Sequence, residues 1–434
     1  MSASVMQSLG EVRRTIAVPD RAASFFAKLL AFSGPGYMVA VGYMDPGNWA
    51  TDLAGGAHYG YALLFVVGLA SVFAMCLQYL AVKLGVVTGR DLAQLCHETM
   101  PRSVNVCMWL GAELMIIACD LAEVIGTAIG LQLLFHIPLP IGVIATVGDV
   151  LLLLALQRFG FRYLESLVVA LIGTVVLCFG LEMIFSHPMF APIMHGFVPT
   201  TQLFTNHELL FIAVGIIGAT VMPHNLYLHS SVVQTRAHEE TAEGKKEAIK
   251  FGAIDSTMAL TIALVVNAAI LIVAAATFHF SGYTGIADIR TAYTLLAPLL
   301  GVGAAGIVFA IALLAAGQNS TITATLAGQV ILEGHMHFRI KPWARRLITR
   351  SLAIVPAAAI VIIKGASGLT GLLILSQVFL SLQLPFAVFP LVALTSSKKH
   401  MGTFANARWF KYGMFGVASI LTGLNVWLLA SVVF

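Results

Sequence analysis

Charge is what this sequence has least of. Only 10% of its 434 residues are Asp, Glu, Lys or Arg, against roughly 25% in a soluble domain. With 59% hydrophobic residues and a mean hydropathy of +0.91, this scarcity excludes a soluble enzyme and indicates a polytopic membrane protein. Cysteine is also sparse. Cys76, Cys96, Cys107, Cys119 and Cys178 form no CxxC pair, which excludes a zinc site or disulfide frame and leaves small packing residues with reduced thiols. No GxxxxGK[ST] loop is present, so ATP-driven transport has no engine here. No nucleophile–base set or closed His/carboxylate metal site appears, and the protein is not expected to be an enzyme or to need a cofactor. The N-terminus is polar through Arg21 and lacks a short apolar core with a cleavage site, so no cleaved signal peptide is expected. The basic residues sit in short loops rather than on one face, which argues against nucleic-acid binding.

Eleven apolar spans are expected, at 30–56, 61–87, 104–131, 138–156, 163–186, 208–235, 252–279, 298–320, 346–363, 369–395 and 411–433. Each is long enough for a hydrocarbon core of about 30 Å. The fourth is interrupted by Asp149, for which no partner is evident. With the N-terminus inside, 22 of the 24 basic residues fall on the inner side, leaving Arg290 and Lys364 outside. That asymmetry places the N-terminus in the cytoplasm and the C-terminus outside. The outer segment before His207 holds Pro188, Pro192 and Pro199 and no Lys or Arg, whereas 235–250 reads as a solvated helical connector. Beyond Gly317 the eighth span turns polar, then amphipathic. Asn319-Ser320-Thr321 matches a glycosylation sequon but falls on the expected inner side, so it carries no weight.

Two polar tetrads interrupt these spans: Asp45-Pro46-Gly47-Asn48 in the first and Met222-Pro223-His224-Asn225 in the sixth. Proline removes a backbone donor and clashes with the preceding turn, so each helix breaks there. Each break opens a five-span block, the pattern of an inverted-repeat transporter with its binding site at the breaks. Freed carbonyls at Gly42 and Ala219, the carboxylate of Asp45, the amide of Asn48 and the thioether of Met222 form a set for a cation. The thioether biases that set toward manganese, ferrous iron, cobalt and cadmium over magnesium and calcium. The plain alternative is that the methionine packs and the prolines kink.

Titratable groups lie nearby. Glu113, Asp120 and Glu123 in the third span fall within about 80° of one another on a helix, so they share a face and suggest an aqueous or proton path. His224 suits protonation near neutral pH. His229 reads equally well as a packing residue, and Asn267 as a cross-helix hydrogen-bonding one. Glu165 and Asp255 are expected to pair with Arg162 or Lys250.

Through Met44-Asp45-Pro46-Gly47-Asn48, Gly218 to Asn225, Asp120-Leu121-Ala122-Glu123 and Gly317 to Thr321, the chain resembles bacterial members of the Nramp family of proton-coupled divalent metal transporters. The resemblance covers nearly the whole length. It implies an all-α integral membrane protein of eleven transmembrane helices, with a LeuT-type 5+5 inverted repeat plus one accessory helix. The divisions are then 1–29 as an inner N-terminal segment, 30–186 as the first repeat, 187–207 as an outer loop, 208–395 as the second repeat, and 396–434 as a loop and accessory span. It further implies Asp45, Asn48 and Met222 as metal ligands, the carbonyls of Ala219 and Gly42 alternating with state, and Gln377 approaching on occlusion. Asp45, His224 and Glu123 would begin a proton path, with Asp120, Arg236, Arg345 and Arg346 further along. The arginines also read as positive-inside anchors. The expected activity is import of Mn2+, Fe2+ and ions such as Cd2+ and Co2+ with protons, across a bacterial cytoplasmic membrane and with no obligate protein partner. A magnesium carrier of the same family is the main rival, although Met222 argues against it. An amino-acid or other organic-solute symporter of the same architecture is the other.

Overall fold

The computed structural model describes residues 8–19, 23–148, 159–285, 288–364 and 367–433. In chain order its elements are β1 (Ile16–Ala17), α1 (Phe25–Phe32), α2 (Pro35–Ala40), α3 (Pro46–Tyr59), α4 (Leu64–Thr88), α5 (Leu92–Thr99), α6 (Arg102–Phe135) and α7 (Leu139–Ala145). They continue with α8 (Phe161–Ser186), α9 (Phe190–Gly196), α10 (His207–Thr220), α11 (Pro223–Val232), β2 (Arg236–Ala237) and α12 (Ala242–Ala274). Last come α13 (Ile289–Leu300), α14 (Ala305–Met336), α15 (Pro342–Lys364), α16 (Ser367–Thr395), α17 (Lys398–Met401) and α18 (Arg408–Val433).

Among the described residues, eight helical stretches are long and apolar enough to cross a bilayer, and α1 with α2 and its following turn makes a ninth, bent by 46°. α7 opens the fourth expected span, whose remainder with Asp149 lies outside the described residues. α18 matches the eleventh. Large apolar side chains such as Leu177, Ile184, Val355, Ile362 and Ile363 are exposed on the outside of the bundle, as lipid contact requires.

The eighth span is corrected. It was expected over 298–320, yet the chain forms α13, stops at Gly301 in the left-handed region (φ 68°), and then runs as one helix from Ala305 to Met336. Asn319, Ser320, Thr321, Thr323 and Thr325 are all buried within the protein. Polar residues there face other helices rather than lipid or water, so the helix continues through them. The 235–250 connector is likewise only partly a separate helix: it begins as β2, and α12 then runs unbroken into the seventh span.

The N-terminal segment is strapped to the second half of the chain. β1 pairs in parallel with β2, Ile16 against Arg236 and Ala17 against Ala237. Leu9 N donates to Glu333 Oε2 (3.1 Å), and Arg14 pairs with Glu240 (2.6 Å). Close by, Asp255 accepts from the amides of Gly34 (3.2 Å) and Gly36 (2.6 Å) at the start of α2. That is a carboxylate capping a helix N-terminus, where the sequence suggested an ion pair with Lys250. Glu165 does pair with Arg162 (2.9 Å), and with Arg236 (2.6 Å) as well.

Candidate functional site

Both breaks have one cause. A residue before proline is pushed out of the helical region, and Asp45 (ψ 166°) and Met222 (ψ 116°) are both extended. Each proline then takes the first position of the next helix, where its missing N–H costs nothing. A 3-10 turn, Val41–Met44, leads into the first break, while α10 ends at Thr220 before the second. Asp45 becomes the N-cap of α3, its Oδ1 accepting from Asn48 N at 2.8 Å.

The two breaks meet at the side-chain amide of Asn48. Its Nδ2 lies 2.8 Å from Asp45 Oδ1, 3.0 Å from the Ala219 carbonyl and 3.4 Å from the Gly42 carbonyl. Three oxygens from around the two breaks thus converge on one point. Asp45 Oδ2 has no hydrogen-bond partner among the described residues. Asn48 Oδ1 accepts from Asn267 of α12 at 3.4 Å, and Asn267 also donates to the Tyr43 carbonyl at 2.8 Å. Asp45, Asn48, Ala219, Met222 and Gln377 are each at most 1% exposed, which closes the site on every side. α16 seals one flank. A side chain on Gly47 would collide with the Gln377 amide, and one on Gly218 would strike the Gln377 carbonyl. Gln377 Oε1 is buried without a partner among the described residues.

His224 is buried at the start of α11 with neither ring nitrogen hydrogen-bonded among the described residues. His229 differs. Its Nδ1 meets Gln78 Oε1 at 2.8 Å, so that nitrogen carries the proton, and Gln78 Nε2 donates to Tyr43 Oη at 2.7 Å. This chain braces α11 and α4 against the first break.

A second polar region lies between α6, α14 and α15. Glu113, Asp120 and Glu123 do share a face, and it is lined by arginines. Arg345 grips Glu113 with contacts of 2.7 and 3.0 Å. Arg346 binds both Asp120 and, at 3.0 Å, Glu123. Arg350 reaches Glu123 at 3.3 Å, and Ser320 and Thr321 each donate to it at 3.0 Å. Pro46 joins this region to the break. Its ring lies where a side chain on Gly126 of α6 would otherwise be, one turn from Glu123, and it is also close to Gly317 of α14, one turn from Ser320. Arg236 stands apart from this network, held by Glu165 and the Ser33 carbonyl. Asn267 makes the cross-helix hydrogen bonds expected of it, to Tyr43 and Asn48. Sequence reasoning missed Arg350 and Gln78 as parts of these networks: Arg350 reads as one more positive anchor, and Gln78 lacks any motif.

A family model described as "Natural resistance-associated macrophage protein-like" matches residues 36–431. The chain belongs to the Nramp family. It is 57% identical to a divalent metal cation transporter, MntH, of Nostoc over 422 residues, 97% of this chain and 95% of that protein. It is 57% identical to the MntH of Brucella suis, over 96% of this chain and 92% of that one. Among solved structures, a manganese transporter of Eremococcus coleocola superposes with a TM-score of 0.90 at 42% identity, covering 98% and 91% of the two chains. A nucleobase-cation-symport-1 family transporter in a closed conformation aligns with a TM-score of 0.54 at 12% identity, over 91% of this chain and 90% of that one, which speaks to the fold alone. This Nramp chain is therefore a multi-pass membrane carrier rather than an enzyme.

Proposed function

We propose that this protein imports divalent transition-metal ions, Mn2+ and Fe2+ foremost and Cd2+ or Co2+ by the same chemistry, together with protons. The observation that carries the reading is the convergence of the Asp45 carboxylate with the Gly42 and Ala219 carbonyls on the amide of Asn48, with Met222 opening the second break three residues after Ala219. Those oxygens surround a hydrogen-bond donor, and a donor is the neutral stand-in for a cation. Turning the Asn48 amide over would present its oxygen to the same point and complete a ligand set with the Met222 thioether. One carboxylate leaves a divalent ion partly uncompensated, which keeps binding releasable. The thioether favours transition metals over magnesium.

In this reading Gln377 completes the shell in the closed state, and α2 and α11 move to open it. Protons begin at Asp45, His224 and Glu123 and continue by Asp120 and Glu113 past Arg345 and Arg346. Arg236 acts on the first span from outside that network. The blocks 30–186 and 208–395 are the two repeats, 187–207 and 396–434 supplying the outer loop and the accessory span. The N-terminus is cytoplasmic and the C-terminus extracytoplasmic in a bacterial inner membrane, on the distribution of lysine and arginine.

The test is uptake into proteoliposomes with Mn2+, Fe2+, Cd2+, Mg2+ and Ca2+ in competition and internal pH recorded alongside. Mn2+, Fe2+ and Cd2+ should compete with one another, Mg2+ and Ca2+ should not, and the interior should acidify as metal enters. Transport of Mg2+ in preference to Mn2+ would favour the magnesium carrier instead.

A further inference from the structure

Asp52 lies in α3, seven residues beyond Asp45 and four beyond Asn48. At ~100° and ~1.5 Å per residue it returns to within about 20° of the direction of Asp45, ~10 Å further along the helix. Its side chain is 1% exposed, and its Oδ2 has no hydrogen-bond partner among the described residues. Among the same residues no cationic side chain pairs with it. The charge that bears on it is that of Asp45.

Its neighbours on α3 fix what it faces. Thr51, on one side, packs on Gly215 of α10, and Gly56, on the other, meets the backbone of α12 at Leu271. Asp52 therefore lies on the strip between those two contacts, where Asn48 meets the Ala219 carbonyl and Asn267. A carboxylate at bilayer depth is expensive, and such residues mark ion pathways. Asp120, Glu123 and Glu165 all have arginines to offset that cost, and Asp255 has backbone amides. Asp52 has neither, and a purely structural residue at this position would be better apolar.

We propose that Asp52 is a second cation-binding carboxylate, a staging position where a divalent ion pauses between the C-terminal end of α3 and Asp45. The proposal rests on reading the two breaks as the transport site. With one carboxylate and no thioether, the staging position binds more weakly than the main site and discriminates less among divalent ions. Its work is to raise the occupancy of the route that feeds Asp45, so its removal alters apparent affinity rather than turnover.

The test is Mn2+ uptake by proteoliposomes carrying the parent, Asp52→Asn or Asp52→Glu. Asp52→Asn should raise KM about tenfold and hold kcat within about twofold, while Asp52→Glu should bring KM back to within about threefold of the parent. A merely structural role would lower kcat or the amount of folded protein and leave KM in place. An unchanged KM overturns the proposal, as does a fall in proton influx with KM intact, which would make Asp52 a proton carrier. If Asp52→Asn does not accumulate, Mn2+ titration of detergent-solubilised Asp45→Ala by electron paramagnetic resonance decides. Residual binding about tenfold or more weaker than the parent's is expected, and no bound Mn2+ at a concentration about a hundredfold above the parent's Kd overturns the idea. Parent uptake is read in the same assay. Its absence would remove the transport reading itself, whereas parent uptake with an unmoved KM removes Asp52 alone.

Discussion

Two groups of carboxylates on the helices of this protein keep different company. Those on α6 face α15 and form a balanced set, Glu113, Asp120 and Glu123 against Arg345, Arg346 and Arg350. Those along α3 are unbalanced. Asp45 has its own helix cap and the Asn48 amide, and Asp52 has no ion pair among the described residues. Glu182 of α8 is a third of this kind, both oxygens buried and unpartnered there. A balanced set holds its helices together and loses stability when one member is cut away. An unbalanced carboxylate is a standing cost that falls when a cation or a proton arrives. On the proposed reading, the difference separates a region that stays in place from one that receives an ion.

Removing the central acid is the strongest test of that contrast. Asp45→Ala should cut Mn2+ uptake by at least about a hundredfold, while the detergent-solubilised protein melts no lower than the parent because an uncompensated charge has gone. Wild-type-like uptake from a well-expressed variant would end the assignment of Asp45. Arg346→Ala should do the reverse. It leaves Asp120 and Glu123 short of a partner and should destabilise the fold by about 3–5 kcal/mol, read by thermal melting. A melting temperature equal to the parent's would show the network to be idle.

Glu123→Gln lies on the border between the two regions. Ser320 and Thr321 donate to different oxygens of Glu123. In the variant the amide oxygen accepts from one hydroxyl and the amide NH2 donates to the other, so metal binding should persist while protons moved per metal ion fall by about fivefold. Parallel records of metal flux and vesicle acidification check this, and a proportional loss of both with weakened metal binding would make Glu123 a structural support. The smallest effect belongs to Met222→Ala. Mn2+ uptake should stay within about threefold of the parent, while preference for Cd2+ over Ca2+ drops about tenfold. If the variant excludes Ca2+ and Mg2+ as the parent does, the thioether is not the filter.

Much of the architecture was legible because lipid imposes its own grammar. Apolar length gives the spans, and an X-Pro step inside one gives a break, as at Asp45-Pro46 and Met222-Pro223. Hydropathy fails where protein rather than lipid surrounds a helix. Ser320, Thr321 and Thr323 made the eighth span look finished about a turn past Gly317, yet they are buried against neighbouring helices and α14 continues to Met336. Face-sharing arithmetic brought Glu113, Asp120 and Glu123 together, but it is silent about what lies opposite. Arg350 has no periodicity linking it to Glu123 on another helix, and nothing local in the chain pairs Gln78 with His229.

The cap that Asp255 places on α2 bears on the order in which the protein is made. The amide of Gly36 and its acceptor are 219 residues apart, and at about 5–20 residues per second the carboxylate is synthesised roughly 10–45 s after the helix it caps. The β1–β2 pairing waits for the same stretch of chain. Until then α2 carries open amides and cannot settle in hydrocarbon. The first five spans emerge as an unfinished object, closed only when the second block supplies Arg236 and Asp255. Residues 30–186 expressed alone should therefore insert without locking, and co-expression with the second block, rather than a longer chase, should be what completes them.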